Sequence, residues 1–130
     1  MGPDVSDPLP AMNRMRILLV DDNEDARELL SDLLASNGNE VLTAGDGPEA
    51  LSCVDSFEPM VAVLDIGLPV MDGYELAVRL RARFPALRII ALSGYGQASD
   101  RERSKAAGFD HHLVKPVDLR KLFELVSPPP

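Results

Sequence analysis

Apolar runs of four or five residues punctuate the chain at 16–20, 61–64 and 88–92, with shorter ones near 40–44 and 112–114. Bounded by polar and turn-forming residues, they predict five strands. Between them the apolar spacing changes. Ala26, Leu29, Leu30, Leu33 and Leu34 recur at i, i+3, i+4, i+7 and i+8, which predicts a helix over 23–36 with one inward stripe and Gly38 as its stop. A second helix is expected over 48–57, with Pro48 suited to its first turn. A third runs over 73–83 with Leu76, Ala77 and Leu80, and a polar fourth over 97–107 is closed by Gly108. The fifth, over 118–126, has Asp118 as N-cap and turns Leu119, Leu122, Phe123 and Val126 inward. Strands with no polar face, alternating with helices, imply a doubly wound α/β domain. Its five-stranded parallel sheet carries helices on both faces.

The residues at the end of each apolar run carry the chemistry, because ligands of open parallel sheets gather at the carboxyl ends of the strands. Asp21 and Asp22 come after the first run, Asp65 after the third, Ser93 after the fourth, and Lys115 with Pro116 after the fifth. Any one of these is explained as well by a polar residue reaching solvent; all of them together are not. Three carboxylates on one rim repel unless a cation lies between them. An oxygen-only set without His or Cys suits Mg²⁺, which keeps several waters and works beside phosphate. Lys115 supplies a point charge for a phosphoryl oxygen, and Ser93 a hydroxyl donor. His111 and His112 precede Lys115 within a strand and make poor members of a serine triad. The nucleophile that profits from this set is a carboxylate, attacking phosphorus to form an aspartyl-phosphate, and Asp65 is central in sequence.

The totals narrow the function further. The 130 residues fit one domain, 45% hydrophobic and 26% charged. A net charge of -8 argues against direct nucleic-acid binding and against an anionic membrane surface. No apolar run is long enough to span a bilayer, and no signal-peptide core opens the chain. The single Cys53 can form no internal disulfide and is expected to be packed or half-packed. A cytoplasmic location is the expectation. The proline-rich stretch 1–14 reads as a flexible leader or linker, 15–126 as the folded domain, and 127–130 as a proline-rich tail.

The segments "LLVDDNEDAREL", "VAVLDIGLPVMDGYEL", "IIALSGYG" and "AAGFDHHLVKP" occur in an order and spacing that resemble the receiver domain of bacterial two-component response regulators. The resemblance covers about 16–126. It implies a (βα)5 flavodoxin-like fold with strand order 2-1-3-4-5, and Asp65 as phosphoacceptor. It further implies Mg²⁺ held by Asp21, Asp22, Asp65 and the backbone carbonyl of Gly67, with Asp22 the more direct ligand of the acid pair. Ser93 and Lys115 would meet phosphoryl oxygens, Pro116 would follow a cis peptide bond, and Gly73 would close a tight loop into the third helix. The phosphodonor would be a phosphohistidine on a sensor histidine kinase or histidine phosphotransfer domain, or a small acyl phosphate. The domain would phosphorylate itself with Mg²⁺ and slowly dephosphorylate itself, a switch more than a turnover enzyme.

One position departs from that pattern. Where the family has Tyr or Phe as partner of the switch serine, three residues before Lys115, stands His112. A polar ring needs a hydrogen-bond partner if it packs inward. Gly67 opens the site and Tyr95 could cover it, so the dephosphorylation rate is not readable. The stretch 91–118 looks most like the C-terminal receiver of a hybrid sensor histidine kinase; a single-domain regulator and a DNA-binding regulator come next. A monomer is expected, with a weak dimer through the face of the fourth helix, fifth strand and fifth helix as the alternative. Two rival functions remain. One is an interaction module that is never phosphorylated, against which the complete acidic, Ser and Lys set argues. The other is a small-molecule phosphate hydrolase with an aspartyl intermediate, which would want a DxD nucleophile motif and a cap domain.

Overall fold

A computed structural model describes residues 14–94 and 101–128. Five strands, β1 (Arg16–Val20), β2 (Glu40–Ala44), β3 (Val61–Asp65), β4 (Arg88–Ser93) and β5 (His111–Val114), form one sheet in the order β2-β1-β3-β4-β5. Every pairing is parallel, so the expected topology is borne out. The helices are α1 (Glu24–Ser36), α2 (Gly47–Phe57), α3 (Gly73–Arg83), α4 (Arg101–Ala107) and α5 (Leu119–Val126). Of the helix expected over 97–107, residues 97–100 lie outside the described residues.

The alternation of side chains along the strands builds two cores. Ile17, Leu19, Val61, Val63, Ile90 and Leu92 face α1 and α5 through Leu30, Leu34, Leu122 and Val126. Leu18, Val20, Ala62, Leu64, Ile89 and Ala91 face the helices on the other side through Ala50, Val54, Leu76, Ala77 and Leu80. Strand β3 is buried on both faces along its whole length. Each fully buried Leu, Ile or Val contributes about 1.5–3 kcal/mol, so the central strands sit in the most strongly held part of the molecule.

The helix starts are pinned next to the strand ends. Asn23, Asp46, Asp72 and Asp118 cap α1, α2, α3 and α5, each accepting from a backbone N–H in the first turn at 2.8–3.3 Å. Gly38 and Gly108, with φ +93° and +101°, follow α1 and α4 in the left-handed region. Two residues of the predicted inward stripes are not inward. Leu29 is 60% exposed and Leu119 37%. The core face of α1 is filled by Leu30 and Leu34 and that of α5 by Leu122 and Val126, so Leu29 and Leu119 fall at the rim. Cys53 is half-buried, its thiol on the Glu49 carbonyl.

Candidate functional site

Two strand ends, those of β1 and β3, bring the acidic residues together. Asp21 follows β1, is fully buried, and accepts from the Asn23 N–H at 2.9 Å. Its own carbonyl accepts from Arg27 Nη1 at 2.8 Å, which ties the β1–α1 turn to the helix it feeds. Asp65 closes β3 and is 7% exposed; its Oδ1 accepts from the Gly67 N–H at 2.8 Å. Asp22 is exposed. One oxygen from each of Asp21, Asp22 and Asp65 lies within 4.8 Å of the others.

Lys115 reaches this cluster from the end of β5. Its Nζ donates to Asp65 Oδ2 at 2.9 Å and to Asp21 Oδ2 at 3.0 Å. The strand end that carries it is held by the Lys115 N–H donating to the Ser93 carbonyl at 2.8 Å. Burial pulls the ammonium towards deprotonation. The hydrogen bonds to Asp65 and Asp21, with the charges of both carboxylates, outweigh that, so the Lys115 pKa stands above its ordinary value. The Lys115–Pro116 peptide bond is cis.

The donor set fits a hard divalent cation. It offers carboxylate oxygens only, one of them solvent-facing where waters complete a shell. Three carboxylate oxygens lying within 4.8 Å of one another can converge on one such ion. One ammonium against three carboxylates leaves the cluster negative.

The loop after Asp65 is closely packed. The Gly73 N–H donates to the Ile66 carbonyl at 3.1 Å. A Cβ at Gly73 would stand 2.5 Å from Ile66 Cα and 2.6 Å from the Asp65 carbonyl oxygen, so only glycine fits against the Asp65 backbone. Within the same loop Val70 has φ +71° and is 87% exposed. A β-branched residue there is strained.

Ser93, 1% exposed at the end of β4, does not stand alone. Its Oγ lies 2.9 Å from His112 Nε2 on β5. The polar ring at 112 therefore has Ser93 as a hydrogen-bond partner. His111 is exposed, and Tyr95 lies outside the described residues. Arg27 had no signal in the sequence beyond its place on the first turns of α1. Beside the cluster, Leu29, Leu30, Leu33 and Leu119 line an apolar cavity of about 330 Å³ whose rim includes Asp21 and Lys115.

Comparison with known proteins agrees with this geometry. A family model described as "Response regulator receiver domain" matches residues 17–127. An uncharacterized 14.6 kDa protein of Leptolyngbya boryana is 38% identical over 121 residues, covering 92% of each chain. The response regulator MprA of Mycobacterium avium is 41% identical over 108 residues, covering 83% of this chain and 47% of its own. The chain thus spans about half the length of that relative and nearly all of the other. Among solved structures, the chemotaxis protein CheY4 of Vibrio cholerae has a TM-score of 0.79 at 32% identity, over 87% of this chain and 98% of its own.

Proposed function

This chain belongs to the response regulator receiver domain family, and we propose that it accepts a phosphoryl group on Asp65 from a phosphohistidine of a partner protein and later loses it to water. The observation that carries the reading is the Lys115 ammonium held between two buried carboxylates, Asp21 and Asp65, with Asp22 beside them. Such a cluster is costly to maintain for structure alone, and it sits where a parallel sheet places its ligands.

The chain's residues divide the work. The Asp65 carboxylate attacks phosphorus, forming a P–O bond as the donor's P–N bond breaks and its electron pair leaves with the imidazole. The Gly67 N–H on Oδ1 fixes the carboxylate, and Lys115 on Oδ2 follows the charge to a phosphoryl oxygen. The Ser93 hydroxyl donates to another. Mg²⁺, held by Asp21, Asp22, Asp65 and the Gly67 carbonyl, would supply charge neutralisation for the transferring group. Attack of water on phosphorus then resets the switch.

A phosphodonor protein needs a surface next to the nucleophile. The apolar cavity edged by Leu29 and Leu119 meets the polar site at Asp21 and Lys115, which suits a histidine kinase or phosphotransfer domain. Attachment to a hybrid kinase is the reading of the 91–118 stretch, with 1–14 and 127–130 as linkers. No helix among the described residues is long and apolar enough to cross a membrane; we place the domain in the cytoplasm. Intact-mass spectrometry after incubation with acetyl phosphate tests the chemistry. One phosphoryl group is expected on the native chain with Mg²⁺, and none on Asp65→Asn or without the ion. An adduct that survives in Asp65→Asn would overturn the assignment.

A further inference from the structure

The Ser93–His112 hydrogen bond raises the question of what the ring does once Ser93 is engaged elsewhere. A serine hydroxyl has one proton, so it donates to one acceptor at a time. In the described structure Ser93 Oγ lies 2.9 Å from His112 Nε2, and with the ring proton on Nδ1 that nitrogen accepts the Ser93 proton. A phosphoryl oxygen on Asp65 is charged and competes strongly for that proton. Once Ser93 donates to it, Nε2 of a half-buried ring gives up this donor.

Another hydroxyl lines the same cavity as the ring. Ser104, on α4, is 7% exposed, and its Oγ is the one buried side-chain polar atom with no hydrogen-bond partner among the described residues. Native proteins rarely leave such an atom unpaired, so each instance calls for a physical reason. Ser104 and His112 line the same cavity of about 410 Å³, between α4 and β5, together with Phe109 and Val114. The cavity gives an imidazole room to turn, and Ser104, one of the residues lining it, carries a buried hydroxyl with no partner among the described residues.

We propose that Ser104 is a further positioning residue of the switch: its hydroxyl, idle in the unphosphorylated domain, becomes the donor to His112 Nε2 when Ser93 moves to the phosphoryl group. The exchange moves one hydrogen bond from β4–β5 to α4–β5. It gives α4 a contact with β5 that exists in the phosphorylated state alone, and so biases the α4 surface by phosphorylation. A Phe ring at 112 would only fill space; His112 changes partners. This rests on the phosphoacceptor reading above.

The test uses the full chain with Mg²⁺ and beryllofluoride, a stable mimic of the phosphoryl group, in a double-mutant cycle of Ser104→Ala and His112→Phe. A lost hydrogen bond of ordinary strength weakens binding about fivefold. Ser104→Ala is expected to weaken beryllofluoride binding by that factor in the native background and to change nothing in the His112→Phe background. Imidazole ¹⁵N spectra of the unloaded chain should show Nε2 unprotonated, accepting from Ser93. A protonated Nε2, which leaves the Ser93 proton free from the start, would overturn the exchange. So would an equal effect of Ser104→Ala in both backgrounds, or no effect in either. A native chain that takes up no beryllofluoride overturns the phosphoacceptor reading itself and this step with it. The other outcomes strike only the role of Ser104.

Discussion

Replacing Lys115 by methionine tests whether its ammonium and the proposed Mg²⁺ share one set of oxygens. Methionine keeps the length and removes the ammonium, leaving Asp21 Oδ2 and Asp65 Oδ2 facing each other with nothing where Nζ now sits 3.0 and 2.9 Å away. Two unit charges about 4 Å apart at an effective dielectric of about 20 interact by roughly 4 kcal/mol. Removing one partner of a fully buried pair costs about 3–5 kcal/mol. The Lys115 side chain is 29% exposed against 0% for Asp21 and 10% for Asp65, so water screens part of it. The expected loss without divalent ions is therefore about 2–3 kcal/mol. Mg²⁺ replaces the missing charge, and in saturating Mg²⁺ the loss should fall below about 1 kcal/mol. By linkage the difference is the coupling between the ammonium and the ion, so Lys115→Met should bind Mg²⁺ about tenfold tighter or more. Urea denaturation of both chains, with and without Mg²⁺ at fixed ionic strength, gives all four free energies. The same loss in both conditions would refute the idea that Lys115 and the metal compete for one set of oxygens.

Other perturbations probe the elements that hold the site. Gly73→Ala places a methyl into the backbone of Ile66 and Asp65; it should lower stability by about 2–3 kcal/mol in urea and slow the proposed phosphoryl uptake by displacing Asp65. A normal uptake rate would show that Asp65 is held independently of this loop. Val70→Asn keeps φ +71° with a residue that tolerates it, and loses little at 87% exposure. A gain of about 1 kcal/mol is expected by thermal melting, and a loss would mean Val70 is not strained. The raised pKa of Lys115 fixes the sign of a pH effect. Its stabilisation is fully present below the unfolded-state value near 10.4 and is lost as pH rises through the higher folded value. Native minus Lys115→Met stability should be flat at moderately alkaline pH and fall above that value; a fall that begins at neutral pH would contradict it.

The fold was legible because β3 and the central residues of β1 and β4 are apolar on both faces, a pattern only a covered parallel sheet satisfies. The acidic cluster was legible for the same reason. A charged residue directly after a buried strand has few places to go except the rim, and parallel strands share one rim. Periodicity failed where an element meets that rim. Leu29 and Leu119 fit their helical stripes, yet stand exposed where the apolar stripe of α1 and the first turn of α5 border the Asp21–Lys115 cleft. The left-handed Val70 was also invisible, since nothing in a valine announces that φ; it is imposed by the tight path from Asp65 to Gly73.

The partner of His112 marks the limit of sequence in a more instructive way. The sequence shows that a polar ring replaces an aromatic one and that such a ring must find a hydrogen bond. It cannot show which atom supplies it, because β4 and β5 are joined through α4 and their register is a tertiary fact. The pairing Ala91↔His112 and Ser93↔Val114 sets the ring beside the end of β4, within 2.9 Å of the Ser93 hydroxyl. A packing switch senses the position of a serine through the volume it leaves. A hydrogen-bonded switch senses it through a single proton. The coupling in this chain should therefore depend on hydrogen-bonding capacity at 112 more than on ring size. His112→Gln, smaller than the aromatic rings but able to accept from Ser93, should retain more of the link between Asp65 and α4 than His112→Phe. Amide shifts of 101–107 on adding beryllofluoride and Mg²⁺ measure that link, and larger shifts in His112→Phe than in His112→Gln would put packing back in charge.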